Sequence, residues 1–235
     1  MFIYQDNSKD ICITFTGNLP VNPKYIISYD SAAEEITING QTIEPAEVLS
    51  IATDTIYQTA QTINKTTILS LDNSTISIPE DTVGDGVFKV TEGGTLIITG
   101  NGTINGVGKN KYNMALWATN KGKIIINGGK FTNIDAQDSE EDASHFDLIY
   151  VSKDGYVEIN DGFFHCATPR WTLNRKNADN GTILVKGGTF VNYNPAESYT
   201  DEKANGEPSN FVAEGYIVVA KNQPNGDIWY TVVKG

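Results

Sequence analysis

The segment Asn180–Asn192, NGTILVKGGTFVN, reads as two short apolar strands joined by a Gly187-Gly188 corner, and versions of it occur four times. The others are GGTLIITGNGTIN (Gly93–Asn105), KGKIIINGGKFTN (Lys121–Asn133) and DGYVEINDGFFHC (Asp154–Cys166). Their leading glycines, Gly94, Gly122, Gly155 and Gly181, lie 28, 33 and 26 residues apart. A period in that range marks a stacked repeat.

Aligned on the leading glycine, the copies share three rows. Two residues on stand Leu96, Ile124, Val157 and Ile183; four on stand Ile98, Ile126, Ile159 and Val185. Side chains alternate across a strand, so both rows point to one side, and branched aliphatics make that side the core. After the second glycine (Gly102, Gly129, Gly162, Gly188) a third row holds Ile104, Phe131, Phe164 and Phe190. Another strand usually precedes the leading glycine, with Phe88 and Val90, Leu116 and Ala118, and Ile149 and Val151 in matching places; the fourth copy departs here, with Arg175 and Asn177 instead. Three short strands per repeat predict an all-β fold, a single-stranded parallel β-helix of about 4–5 coils with side-chain ladders spaced about 4.8 Å apart. The glycines are expected where a Cβ would clash or φ must be positive. An antiparallel β-sandwich is the competing architecture, but it gives no reason for glycine register and three side-chain rows to agree.

The pattern divides the chain into a β-rich region over residues 1–60, the β-helix over 61–210, and a capping hairpin over 211–235. In the first region, ITINGQTI (Ile36–Ile43) places Asn39-Gly40 between two short alternating runs, a two-residue hairpin signal. Glu44–Gln58 holds the one candidate helix, short and rich in β-branched residues. TILSLDNSTISI (Thr67–Ile78) alternates as a first, degenerate coil. At the far end, GYIVVAKNQPNGDIWYTVV (Gly215–Val233) is two apolar strands around Pro224-Asn225-Gly226.

Twenty-two glycines among 235 residues suit many short strands and tight turns. A net charge of -12 argues against nucleic acid or an acidic membrane surface as partner. No apolar run reaches the length of a membrane span. MFIYQDNSKD lacks a basic stretch leading into an apolar core, so no secretory signal is read there. Cys12 and Cys166 are expected to be reduced.

Any chemistry of such a repeat would lie on its outward positions. Three residues after each leading glycine stand Ile97, Ile125, Glu158 and Leu184, and Trp117 and Tyr150 hold outward places on the preceding strands, with Lys89 in the same pattern. Such a stripe is expected to be exposed and to mark an interface, with other copies of the chain as the simplest partner and a homotrimer as the expected assembly. Folding of residues 1–60 or of a long loop over the stripe is the alternative. Sugar hydrolysis with inversion needs two carboxylates roughly 6.5–9.5 Å apart. Asp154, Glu158 and Asp161 all fall in one repeat with no acidic partner stacked beside them, so no catalytic residue is assigned. Arg170, Trp171 and Arg175 are expected to contact a protein or a glycan, since Trp and Arg suit both. A lyase acting through these arginines is the enzymatic alternative. The acidic run Asp135–Asp147 lacks calcium-loop spacing and reads as a solvated face. His145, His165 and Cys166 form no metal-ligand pattern, and no cofactor motif is found.

The run GGTFVNYNP…NFVAEGYIVVA…DIWYTVV (Gly187–Val233) resembles the closing unit of pectate-lyase-like right-handed β-helical proteins from gut bacteria and their phages. It covers about the last fifty residues, and the Gly-Gly-x-Phe repeats extend the likeness back to about Asp85. Relatives of that kind include adhesive domains on cell surfaces and head fibres of tailed-phage particles. The resemblance, taken with the missing signal, implies a non-enzymatic virion protein, a head fibre or capsid decoration. Residues 1–60 would attach it to a capsid or other virion protein, and the β-helix would project, with host-surface glycan as a weak ligand. A bacterial surface adhesive module is the alternative.

Overall fold

The computed structural model describes residues 47–79, 86–106, 114–133, 147–176, 180–198 and 208–235 in full, and before residue 47 the backbone of short strands. The chain divides into two units, Met1–Pro45 and Ala46–Gly235. In the first, Phe2–Asp6 pairs antiparallel with Lys9–Ile13, and Ile27–Asp30, Glu35–Ile38 and Gln41–Ile43 form an antiparallel sheet. The register sets Ile38 opposite Gln41, as the two-residue hairpin expected there requires; Asn39 and Gly40 themselves lie outside the described residues.

Among the described residues the second unit is all-β, apart from one 3-10 turn at Pro169–Trp171. Its strands fall into three parallel rows. The first row holds Glu47–Ile51, Thr66–Leu71, Thr95–Gly100, the opening halves of Lys123–Asn133 and Tyr156–Cys166, and Thr182–Val185. The second holds Thr55–Ile56, Thr75–Ser77, Thr103–Asn105, the closing halves of the two long strands, and Thr189–Val191. Gln61–Ile63, Phe88–Val90, Leu116–Ala118, Ile149–Val151 and Leu173–Arg175 make the third. The chain takes one strand from each row in turn and then begins again.

The register matches like with like. Leu96 pairs with Ile124, Ile124 with Val157 and Val157 with Ile183, and Ile98, Ile126, Ile159 and Val185 follow suit. All are buried in one core cluster. In the second row Ile104, Phe131, Phe164 and Phe190 oppose one another in sequence. Phe131 and Phe164 stack at 5.0 Å with 8° between their planes, Phe164 and Phe190 at 4.6 Å with 11°. These separations match the spacing of adjacent strands, so the strand rise itself sets the aromatic ladder. Thr67 stands in the same inward row as Leu96, fully buried, and its Oγ1 has no partner among the described residues.

Each leading glycine is fixed by a close approach. A Cβ on Gly94, Gly122 or Gly155 would strike the backbone of Ile63, Val90 or Ala118, the matching residues one repeat earlier. The chain reaches these glycines through identical turns: Gly94, Gly122 and Gly155 donate to the carbonyls of Thr91, Thr119 and Ser152 at 2.9, 2.8 and 2.9 Å. Both central residues of each turn have positive φ, as in Asn120 (46°) with Lys121 (64°).

Two expectations need correction. The helix expected over Glu44–Gln58 is not found in the described part of that span, residues 47–58: Glu47–Ile51 and Thr55–Ile56 are strands, paired parallel with Thr66–Leu71 and Thr75–Ser77, so stacking starts before residue 61. A sheet edge offers hydrogen bonds that β-branched residues such as Val48, Ile51, Thr55 and Ile56 suit better than a helix. The strand before Gly181 is also displaced by two residues from the constant offset. Leu173 takes the core place beside Ile149, and Arg175 lies opposite Val151.

The far end is closed by chain that leaves the repeat. Val185 donates to Phe211 and accepts from Ala213, and Phe211, Tyr193 and Val232 join the core cluster there. Beyond them Ile228–Lys234 pairs antiparallel with Thr189–Val191, and Tyr216–Asn222 pairs antiparallel with it in turn.

Candidate functional site

The outward ladder of the first row runs Val48, Ile68, Ile97, Ile125, Glu158, Leu184. Ile97 and Ile125 lie outside the core cluster, yet retain only 7% and 4% exposure. The expected open stripe is therefore closed at its centre. Each of the two isoleucines has an aliphatic neighbour on the adjoining strands, Ile68 for one and the other isoleucine for both. Leu184 is half-buried, and Val48 at the first strand is open.

Between Ile125 and Leu184, Glu158 carries a closed polar network. Its Oε2 accepts from the Tyr156 hydroxyl at 2.8 Å and pairs with Lys186 Nζ at 3.0 Å. Its Oε1 accepts from Asn160 Nδ2 at 3.1 Å, and that amide also donates to Asn127 Oδ1 at 3.0 Å. Burial works to raise the Glu158 carboxyl, but the bonds from Lys186, Tyr156 and Asn160 outweigh it and hold the group below its usual 4.5. Burial and the Glu158 carboxylate push the Tyr156 hydroxyl up to about 12. An anchored, ionised carboxylate of this kind is a poor general acid.

The outward ladder of the third row is Lys89, Trp117, Tyr150, Asn174. Lys89 Nζ lies 4.4 Å from the Trp117 ring centroid, and Trp117 and Tyr150 sit 6.0 Å apart. Trp117 Nε1 donates to Ser152 Oγ at 3.0 Å, and Ser152 Oγ donates to Thr119 Oγ1 at 3.0 Å. The indole thus has one face against a cation, a neighbouring ring beside it, and its N–H satisfied within the chain.

The predicted Arg170–Trp171–Arg175 trio is split. Arg170 is exposed and packs 5.5 Å from the Trp171 ring, at the 3-10 turn. Arg175 is half-buried, 5.5 Å from the ring of Phe211 at the closed end, and burial lowers its pKa. The cause is the displaced strand, which moves Arg175 into the row of Val151.

Exposed large apolar side chains gather instead on the C-terminal hairpin: Ile217 (53%), Val219 (47%), Trp229 (37%) and Val233 (38%). Register puts Ile217 beside Val233, and Phe163 meets the Trp229 ring edge-on at 5.4 Å. These residues share one outer face. Sequence reasoning found the hairpin but not this face, because YIVVA is apolar at both parities. Val48 and Ile56, on the first two strands, are the other exposed pair.

Cys166 is a buried thiol 3.6 Å from Thr168 Oγ1, and burial pushes its pKa up to about 12. His165 is half-buried opposite Thr132. His145 and all of the acidic run except Asp147 lie outside the described residues. Among the described residues no cluster of His, Cys, Asp or Glu is arranged to hold a metal ion.

No protein-family model, curated protein or solved structure matches the chain.

Proposed function

We propose that residues 46–235 form a single-stranded parallel β-helix and that the chain is a non-enzymatic structural protein acting by assembly. The observation that carries this reading is the placing of exposed apolar side chains. They lie on the terminal hairpin, at Ile217, Val219, Trp229 and Val233, and on the first strands, at Val48 and Ile56. Sheet edges that keep apolar side chains in water are surfaces for other chains. The recurring register of three strand rows supports the β-helix, and the tied-up state of Glu158 supports a role without catalysis.

In this reading the chain serves as a head fibre or capsid-surface decoration of a virion. The likeness of Gly187–Val233 to the closing unit of such proteins supports that role. The N-terminal unit is the attachment part, and Arg170 on Trp171 is the remaining place for weak glycan contact. A homotrimer packed along Ile97, Ile125 and Leu184 would first have to uncover the two isoleucines, so assembly through the ends is the better form of the proposal.

Light scattering of the purified chain at micromolar concentration tests the assembly. A multiple of 25.6 kDa is expected, and a clean monomer would overturn it. Incubation with uronate and neutral glycans should release no new reducing ends or unsaturated products; release would overturn the non-enzymatic part. A capsid or portal gene beside this one is the expected genomic setting.

A further inference from the structure

The strand Tyr216–Asn222 is the last in its sheet, paired on one side with Ile228–Lys234. Bonds at both ends of the hairpin fix which residues face which side. Gln223 donates to Asp227 at 2.7 Å and Gly235 donates to Gly215 at 2.9 Å, so the odd-numbered residues bond inward. The backbone groups of Val218, Ala220 and Asn222 therefore point to the open edge. Tyr216 contributes its carbonyl there, its N–H donating to Ala213 at 3.1 Å.

We propose that this edge pairs with the same strand of a second copy, antiparallel, about a two-fold axis at Val218. The proposal rests on the assembly reading above and names its surface. Three features select this occupant and this register. Val218 would exchange both backbone bonds with its own counterpart, and Ala220 would donate to the Tyr216 carbonyl of the partner subunit. Ile217 would lie beside Val219 of the partner subunit, and the reverse, so the two most exposed aliphatics of the hairpin cover each other. Charge settles direction. Exposed Glu214 precedes the strand and exposed Lys221 lies near its other end. Antiparallel pairing sets Lys221 opposite Gly215 of the partner subunit, next to its Glu214, whereas parallel pairing sets like charges side by side. Within a chain of net charge -12, the strand itself carries no acidic residue.

Three variants of the full chain read the pairing without touching the inner bonds. Proline is tolerated in an edge strand where the N–H faces solvent, so Ala220→Pro is expected to leave the melting temperature of the isolated chain unchanged and to halve the mass seen by light scattering. Val218→Cys should form a disulfide-linked dimer on mild oxidation, while Ala220→Cys should not, because its counterpart lies four residues out of register. A multimer that Ala220→Pro leaves intact would overturn this pairing while leaving the assembly reading standing. Equal cross-linking of both cysteine variants would overturn the register. A head-to-tail contact with the Val48 and Ile56 end would leave Val218→Cys uncross-linked and would equally overturn it. A wild-type monomer would sink both readings.

Discussion

Asn192 holds Ile228 by both of its backbone groups: its own N–H donates to the Ile228 carbonyl at 2.8 Å, and its Oδ1 accepts the Ile228 N–H at 2.7 Å. The Asn192 amide also donates to Asp227 Oδ1 at 2.8 Å, which with Asn225 keeps the Asp227 carboxyl below its ordinary value. One side chain thereby pins the terminal hairpin to the last repeat. Asn192 has φ 55°, a conformation Asn accepts more readily than most residues.

Asn192→Gly keeps that backbone conformation and removes the side chain, whereas Asn192→Ala also strains the backbone. Loss of the bonds should cost about 1–2 kcal/mol, with the alanine variant worse by about 1 kcal/mol. Urea unfolding measures both. Hydrogen exchange should rise first in Tyr216–Asn222 and Ile228–Lys234; uniform loss of protection would show that the pin is not local.

Phe164 is stacked on both faces and fully buried. Phe164→Ala should cost about 3–5 kcal/mol, because two rings lose their partner at once and strand spacing prevents collapse into the gap. Phe190→Ala, nearer the end, should cost less. Equal losses in thermal or urea melts would contradict a ladder whose centre is its stiffest part.

Thr67 offers a change in the other direction. Its hydroxyl is buried without a partner in a row of aliphatics, so Thr67→Val keeps the shape and removes the unmet group. A gain of about 1 kcal/mol in unfolding free energy, seen as a higher urea midpoint, is expected. A loss would mean that the hydroxyl is satisfied in solution.

Glu158 makes stability depend on pH in a defined sense. Its carboxyl is depressed in the folded chain, so its contribution is present above the usual value of 4.5 and is lost as pH falls through the lower folded value. The pair is partly solvated, so the loss is below about 1 kcal/mol. Glu158→Gln should flatten the stability profile below pH 4.5 relative to wild type. Tyr156, raised from 10.0 to about 12, adds stability that fades as pH climbs across that interval. Urea midpoints across both ranges, for wild type and Glu158→Gln, check the two arms.

The rows of Leu96, Ile98 and Ile104 were legible because glycine spacing and strand alternation report the same geometry independently. The strands Glu47–Ile51 and Thr55–Ile56 were not, since no glycine corner announces them and only an adjoining edge makes them strands. Leu173 was missed for a related reason: its corner is longer, so at the constant offset from Gly181 stands Arg175, which read as a departure rather than as a strand shifted by two residues. The outward stripe was correctly found in direction and wrongly taken as open, because exposure depends on neighbours in three dimensions. The hairpin face of Ile217 and Trp229 was hidden by the uniform apolarity of its strand.

The three identical turns that end at Gly94, Gly122 and Gly155 have a consequence for how such a chain can change. From Phe88 to Gly94, from Leu116 to Gly122 and from Ile149 to Gly155 the count is six positions each time. From Ile104 to Leu116 it is 12, from Phe131 to Ile149 it is 18, and from Phe164 to Leu173 it is 9. Length is conserved at one corner and spent freely at another. A foreign peptide grafted between Asn133 and Asp147 would leave every ladder in register, whereas one residue added between Ala118 and Gly122 would push a glycine off the carbonyl it must clear. The molecule thus has a side for display and a side for measure.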